Sequence, residues 1–139
     1  MKSLLKTDNA PTTVIIRLMV GLVFFSEGIQ KFLFPDKLGT GRFAEIGLPN
    51  PDFLAPCVGA FEIACGTLLL FGLFTRFAAI PLICVMGVAM ATTKADILAS
   101  EGFWSMMHAG RTDWAMLMGN IFLLLRGGGR WSLDRVISK

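Results

Sequence analysis

Three apolar runs, residues 12–34, 53–74 and 77–95, and a shorter fourth, 113–126, constrain every fold open to this sequence. A bilayer crossing takes about 20 mostly apolar residues. The first run, TTVIIRLMVGLVFFSEGIQKFLF, stops at Pro35, and the second, FLAPCVGAFEIACGTLLLFGLF, is reached through the turn LPNPDF. Thr75–Arg76 separates the second run from the third. The fourth, DWAMLMGNIFLLLR, is short enough to need residues from the preceding SMMHAGRT, or a locally thinned bilayer. Backbone inside lipid must satisfy its own hydrogen bonds, which an open sheet cannot do. Strand-type alternation is absent as well. The pattern therefore predicts an all-α protein: a four-transmembrane-helix bundle, forming a single membrane domain over residues 1–139. The stretches 35–52 and 96–112 read as its two longest loops.

Composition agrees. Hydrophobic residues make up 54% of the chain and charged residues 17%, too little polar surface to cover a soluble core of this size. The net charge of +3 does not indicate a nucleic-acid partner, because the basic residues are scattered and form no basic helix or aromatic-interleaved patch. The N-terminus MKSLLKTDNAPTT lacks the layout of a cleavable signal, so the first run is expected to stay as a helix. With four crossings both termini share a side. That side holds seven basic residues, Lys2, Lys6, Arg76, Arg126, Arg130, Arg135 and Lys139, against five opposite, Lys31, Lys37, Arg42, Lys94 and Arg111. The bias places both termini in the cytoplasm and the two loops outside.

Ionisable groups inside the apolar runs point to function. At 1.5 Å per helical residue, Glu27 lies roughly 10 Å and Glu62 roughly 13 Å from the outer ends of their spans. Asn120 falls at a similar level in the fourth span, and Lys31 sits one turn outward of Glu27 on the same helical face. His108, Arg111 and Asp113 gather at the outer mouth of the fourth span. A charge at the centre of a membrane helix costs about 2.5–3.5 kcal/mol on insertion scales, so it turns toward protein or water. Glu27 and Lys31 can neutralise each other across one turn. Glu62 has no base in its own helix, and must reach Lys31, Arg111 or His108 across the bundle or be protonated. The expectation is an outward-opening polar pocket lined by spans one, two and four, with Glu27, Lys31, Glu62, His108, Arg111, Asp113 and Asn120 as its candidate residues. Gly21 and Gly28 in the first run, and Gly59 and Gly66 in the second, recur at helical spacing as close-packing faces. A ligand or proton-handling role for Glu62 and Lys31 and a plain helix-locking role weigh equally at this point.

Other chemistry finds little support. Cys57, Cys65 and Cys84 all fall inside spans and no CxxC occurs. A Cys65–Cys84 disulfide is open to the sequence, but small apolar thiols are the favoured reading, and Cys57, nearest the outer surface, is the one to test for redox chemistry. His108 is the sole histidine, which excludes bis-histidine haem within one chain and argues against a zinc site; no metal is expected. No phosphate-binding loop or dinucleotide fingerprint is present, and Gly127–Gly129 reads as a helix stop.

Arg17 and Gly21, then FFSEGIQKF and GLPNP, then GAFEIACGTLLLFGLFTRFAA, and finally LLLRGGGRWSLDR follow an order and spacing that resembles the DoxX family of small bacterial membrane proteins. The resemblance spans nearly the whole chain and implies four transmembrane helices in a bacterial cytoplasmic (inner) membrane. Arg17, Gly28, Lys31, Gly59, Glu62, Gly72, Arg76 and the closing GRWSLD match its recurring positions. Near the start of the fourth span the family often carries Glu, where this chain has Asp113. The family is similar to the membrane subunit of an archaeal thiosulfate:quinone oxidoreductase, and some members are linked to membrane-associated redox complexes.

These readings lead to an integral membrane subunit of a redox or sulfur-handling system, binding a quinone or small anionic substrate in the outer-half pocket. Lys31 and Arg111 would supply positive charge, and Glu27 and Glu62 would pair with them or carry protons. No redox centre is visible in the chain, so electron transfer calls for bound quinone or a membrane-associated redox protein. The rivals are a structural or assembly subunit that recruits a partner protein, and a small-solute or proton pathway that would require a homo-oligomer.

Overall fold

The computed structural model describes residues 5–139; Lys2, one of the charges counted toward orientation, lies outside them. Three helices are long and apolar enough to cross a membrane: α1 (Thr13–Leu33), α4 (Pro51–Phe71) and α5 (Thr75–Glu101). Between α1 and α4 lie two short helices, α2 (Pro35–Leu38) and α3 (Thr40–Glu45). After α5 come α6 (Phe103–Ala109), α7 (Arg111–Arg126) and a short terminal α8 (Leu133–Ile137). No strand occurs among the described residues.

Local chemistry sets the boundaries. Phe34, held by the following Pro35 at φ −127° and ψ 62°, cannot continue α1. Pro51 opens α4 at a position where a missing N–H is harmless. The left-handed Gly72 (φ 67°) closes it: Gly72 N–H donates to the Leu69 carbonyl at 3.1 Å and Leu73 N–H to that of Leu68 at 2.9 Å. This is a Schellman stop, which places α5 antiparallel to α4.

Two expectations need correction. The third helix does not end at residue 95; it runs 27 residues to Glu101, because no Pro or Gly interrupts it between Gly87 and Gly102. The stretches 35–52 and 96–112 are largely helical rather than loops, since in the latter only Gly102 and Gly110 break the chain. The fourth long helix, α7, has 16 residues, about 24 Å at 1.5 Å per residue, against a hydrocarbon core of about 30 Å. Among the described residues three helices thus meet the length and composition of a crossing, and α7 falls short of that length.

Val20, Phe24, Leu69, Ala78, Leu82 and Leu123 form the fully buried centre where α1, α4, α5 and α7 meet. The outward faces stay apolar, with Ile15, Leu22, Phe53, Phe61, Phe77 and Leu125 all exposed. No more than a third of each candidate span is buried within the protein, which leaves a broad apolar surface suited to lipid.

One end of the bundle is tied by two buried charges. Arg17, 3% exposed, donates to the carbonyls of Leu69 and Leu70 at the end of α4, and to those of Gly128 and Trp131 in the tail. Asp134, 1% exposed, accepts from the backbone N–H groups of Phe74 and Thr75 at the start of α5, at 2.6 and 2.9 Å. The GRWSLD segment thus covers the helix ends opposite the polar pocket, meeting orphan donors and acceptors that would otherwise lack partners. On the N-terminal side Asp8 pairs with Arg126 at 2.7 Å, bringing the start and end of the described chain to this same end.

Candidate functional site

α1 and α4 meet through two pairs of glycines. A Cβ on Gly28 would fall 2.7 Å from the Gly59 carbonyl oxygen, and one on Gly66 would fall 2.8 Å from the Phe25 nitrogen and 3.0 Å from the Gly21 oxygen. All four predicted packing glycines therefore sit where the two backbones touch, an approach that any side chain would block. Gly59 is level with Lys31, whose Cβ lies 3.4 Å from the position a Gly59 Cβ would take. Glu62 is three residues further along α4, deeper in the bundle. Helical side chains lean toward their own N-terminus, so Lys31 points inward and down to that level. Its Nζ lies 2.8 Å from Glu62 Oε2, with Lys31 11% and Glu62 2% exposed.

The pairing differs from the within-helix alternative. Lys31 faces Glu62 across the interface, while Glu27 is exposed and has no ion-pair partner among the described residues. Desolvation decides this: an unpaired carboxylate at the buried Glu62 position costs far more than one at the exposed Glu27 position.

A cavity of about 510 Å³ opens beside this pair, bounded by α1, α3, α4, α5 and α7. That volume lies in the range of small-molecule sites. Phe24, Val85 and Met116 are among its apolar walls, and Glu27, Lys31, Arg42, Glu62, Lys94 and Asp113 carry its charges. Across from Lys31–Glu62 a second ion pair joins α5 to α7, Lys94 Nζ to Asp113 Oδ2 at 2.9 Å. Lys94 closes a π-helical turn, Met90–Lys94, in the second half of α5. The wider turn leaves α-helical bonding unmet locally, and the Thr92 and Thr93 hydroxyls donate to the Val88 and Ala89 carbonyls. Single π turns inside α-helices recur at functional sites because they re-aim side chains; here Thr92, Thr93 and Lys94 all reach the cavity.

Of the residues expected at the pocket, Glu27, Lys31, Glu62 and Asp113 line it together. His108, Arg111 and Asn120 do not. His108 is exposed on α6, and Arg111, also exposed, bonds to the His108 carbonyl and lines a separate hollow. Neither lines the cavity, although Thr112 and Asp113, which follow Arg111 at the start of α7, do. Asn120 is fully buried within the bundle, where Nδ2 donates to the Met116 carbonyl at 3.0 Å and Oδ1 has no protein partner among the described residues.

Lys94 and Arg42 take part in the cavity without having been singled out for it. Lys94 ends the third apolar run in the sequence TTK, a signal that could have marked it had the run been read as one long helix. Cys57, Cys65 and Cys84 are all free. Cys84 is the exposed thiol and lines the cavity, whereas Cys57 is half-buried and Cys65 buried, so the accessible cysteine is not the one nearest the chain's turn into α4. Among the described residues no cluster of His, Cys, Asp and Glu has the grouping a metal ion needs.

Comparison with known proteins matches the DoxX family over residues 12–95. The chain is 55% identical over 142 residues to the "Uncharacterized membrane protein Rv3486" of Mycobacterium tuberculosis, covering 98% of this chain and 87% of that protein. It is 31% identical over 129 residues to the "Putative oxidoreductase CatD" of Bacillus subtilis, covering 91% of this chain and 87% of that one. An uncharacterized protein of Haemophilus influenzae is 29% identical over 134 residues. No solved structure matches the chain. The family match over more than half the length, together with the apolar spans and a membrane-protein relative along nearly all of it, establishes the conclusion: this chain belongs to the DoxX family and is a membrane protein.

Proposed function

We propose that the protein is an integral subunit of a redox or sulfur-handling system in a bacterial cytoplasmic membrane, and that its cavity binds a quinone or a small anionic substrate. In this reading α7 is the fourth crossing, both termini face the cytoplasm, and the cavity opens toward the other side. The observation that carries the proposal is the cavity itself: about 510 Å³, largely apolar in its walls, with two ion pairs and the exposed carboxylate of Glu27 at its edge. A quinone needs apolar walls for its ring and donors for its carbonyl oxygens. Lys31 and Lys94 supply ammonium donors on opposite walls, and Glu27 supplies a carboxylate able to accept a proton from the hydroxyl of a bound quinol. The relative named an oxidoreductase is in keeping with this reading.

The test is the quinone content of protein purified in mild detergent, beside that of Glu62→Gln. Near-stoichiometric quinone on the wild type and its loss from the variant are expected. Purified protein free of quinone, together with null strains that respire normally on every sulfur donor, would overturn the proposal.

An assembly role is the second reading, favoured by the opposite end of the molecule. There Arg17 and Asp134 are buried charges whose partners are backbone groups of neighbouring helices, so this chain does use buried charge to lock helices. If Lys31–Glu62 does the same, Glu62→Gln weakens co-purification with a membrane-associated partner and leaves ligand content unchanged.

A further inference from the structure

A second hollow, of about 210 Å³, shares Lys94 with the main cavity. Met90, Met106, Met107 and Trp114 give it apolar walls, and Lys94 and Arg111 bring two cations to it. From this juxtaposition we propose that the hollow holds the phosphodiester headgroup of an anionic phospholipid, with acyl chains running along the methionine and tryptophan walls.

Depth supports a lipid occupant. Lys94 follows Thr75, the first residue of α5, by 19 residues. That separation spans about 29 Å of helix, nearly the whole hydrocarbon thickness of about 30 Å. With Thr75 near one face of the hydrocarbon, Lys94 comes to headgroup level at the other. α6 lies beside it and exposes Phe103, Trp104 and Met107, the last of which also lines the hollow. Exposed tryptophan and phenylalanine on a short helix at this level belong in the boundary between headgroups and acyl chains.

Charge supports an anionic headgroup. Lys94 is matched by Asp113 at 2.9 Å, whereas Arg111 has no carboxylate partner among the described residues and spends one donor on the His108 carbonyl. The three groups sum to one net positive charge, the complement of one phosphodiester. A planar guanidinium offers paired donors to two phosphate oxygens, and Lys94 reaches the same hollow. A zwitterionic lipid brings its own cation to the phosphate and meets Arg111 less favourably.

The experiment is native mass spectrometry of the full chain released from mixed detergent–lipid micelles. Phosphatidylglycerol, phosphatidylcholine and inorganic phosphate serve as separate probes, and Arg111→Gln and Lys37→Gln as variants. Arg111 and Lys37 are both exposed, so neither change disturbs the packed interior. The wild type is expected to retain phosphatidylglycerol over phosphatidylcholine, and Arg111→Gln to reduce that preference about fivefold while Lys37→Gln leaves it intact. Equal retention of the two lipids by the wild type overturns the proposal, as does an Arg111→Gln protein that keeps the preference. Displacement of phosphatidylglycerol by inorganic phosphate at comparable concentration also overturns it, by showing a free-anion site instead.

Discussion

Replacing Lys31 by Met removes the ammonium 2.8 Å from a carboxylate that is 2% exposed. In a medium of effective dielectric near 20, two unit charges at that distance attract by about 6 kcal/mol, most of which offsets their desolvation. Removing one member of such a pair leaves the other buried and uncompensated, typically at a cost of about 3–5 kcal/mol. Lys31→Met is expected at the upper part of that range, because Glu62 is 2% exposed on the inner face of α4 and no other cation is paired with it among the described residues. Glu62→Leu is expected to cost less, since the released Lys31 stem can extend toward the membrane surface. The double variant Lys31→Met/Glu62→Leu is expected within about 1 kcal/mol of wild type, giving a coupling energy of at least about 2 kcal/mol. Equilibrium unfolding in mixed micelles of rising sodium dodecyl sulfate fraction, followed by helicity and tryptophan emission, measures all four proteins. Additive single effects below about 0.5 kcal/mol would refute the reasoning and leave the glycine contacts as what holds α1 to α4.

Gly28→Ala is expected to destabilise by about 1–3 kcal/mol, because its Cβ would fall 2.7 Å from the Gly59 carbonyl oxygen; Gly87→Ala, with open space around it, is expected to be neutral or slightly stabilising in the same thermal melt. Asp134→Ala leaves the Phe74 and Thr75 amides without their acceptor and is expected to cost about 1–2 kcal/mol, seen as faster proteolysis of the tail. A water-soluble maleimide is expected to label Cys84 at the cavity well ahead of the buried Cys65; labelling of Cys84 as slow as that of Cys65 in the folded protein would show that the cavity is closed to water.

Much of the architecture was legible because lipid is an unforgiving solvent. A run such as TTVIIRLMVGLVFFSEGIQKFLF can only be a helix there, and a carboxylate within the second run can only face protein. Glycines recurring on the faces that carry Lys31 and Glu62 marked those faces as the ones in contact. The start of α7 was harder to place, since Gly110 is a weak break and α6 continues helically almost up to it.

What the sequence by itself determined is the set of constraints each residue imposes locally: helical class, the first three apolar spans, the stop at Pro35, and the need of Glu62 for a cation or a proton. Tertiary structure alone decided which cation that is, that Lys94 and Asp113 close the opposite wall, and that a tail residue 60 positions away accepts from Phe74 at the start of α5. Those choices depend on the rotation and depth of one helix against another. They are set by backbone contacts summed over many residues, and no single segment encodes them.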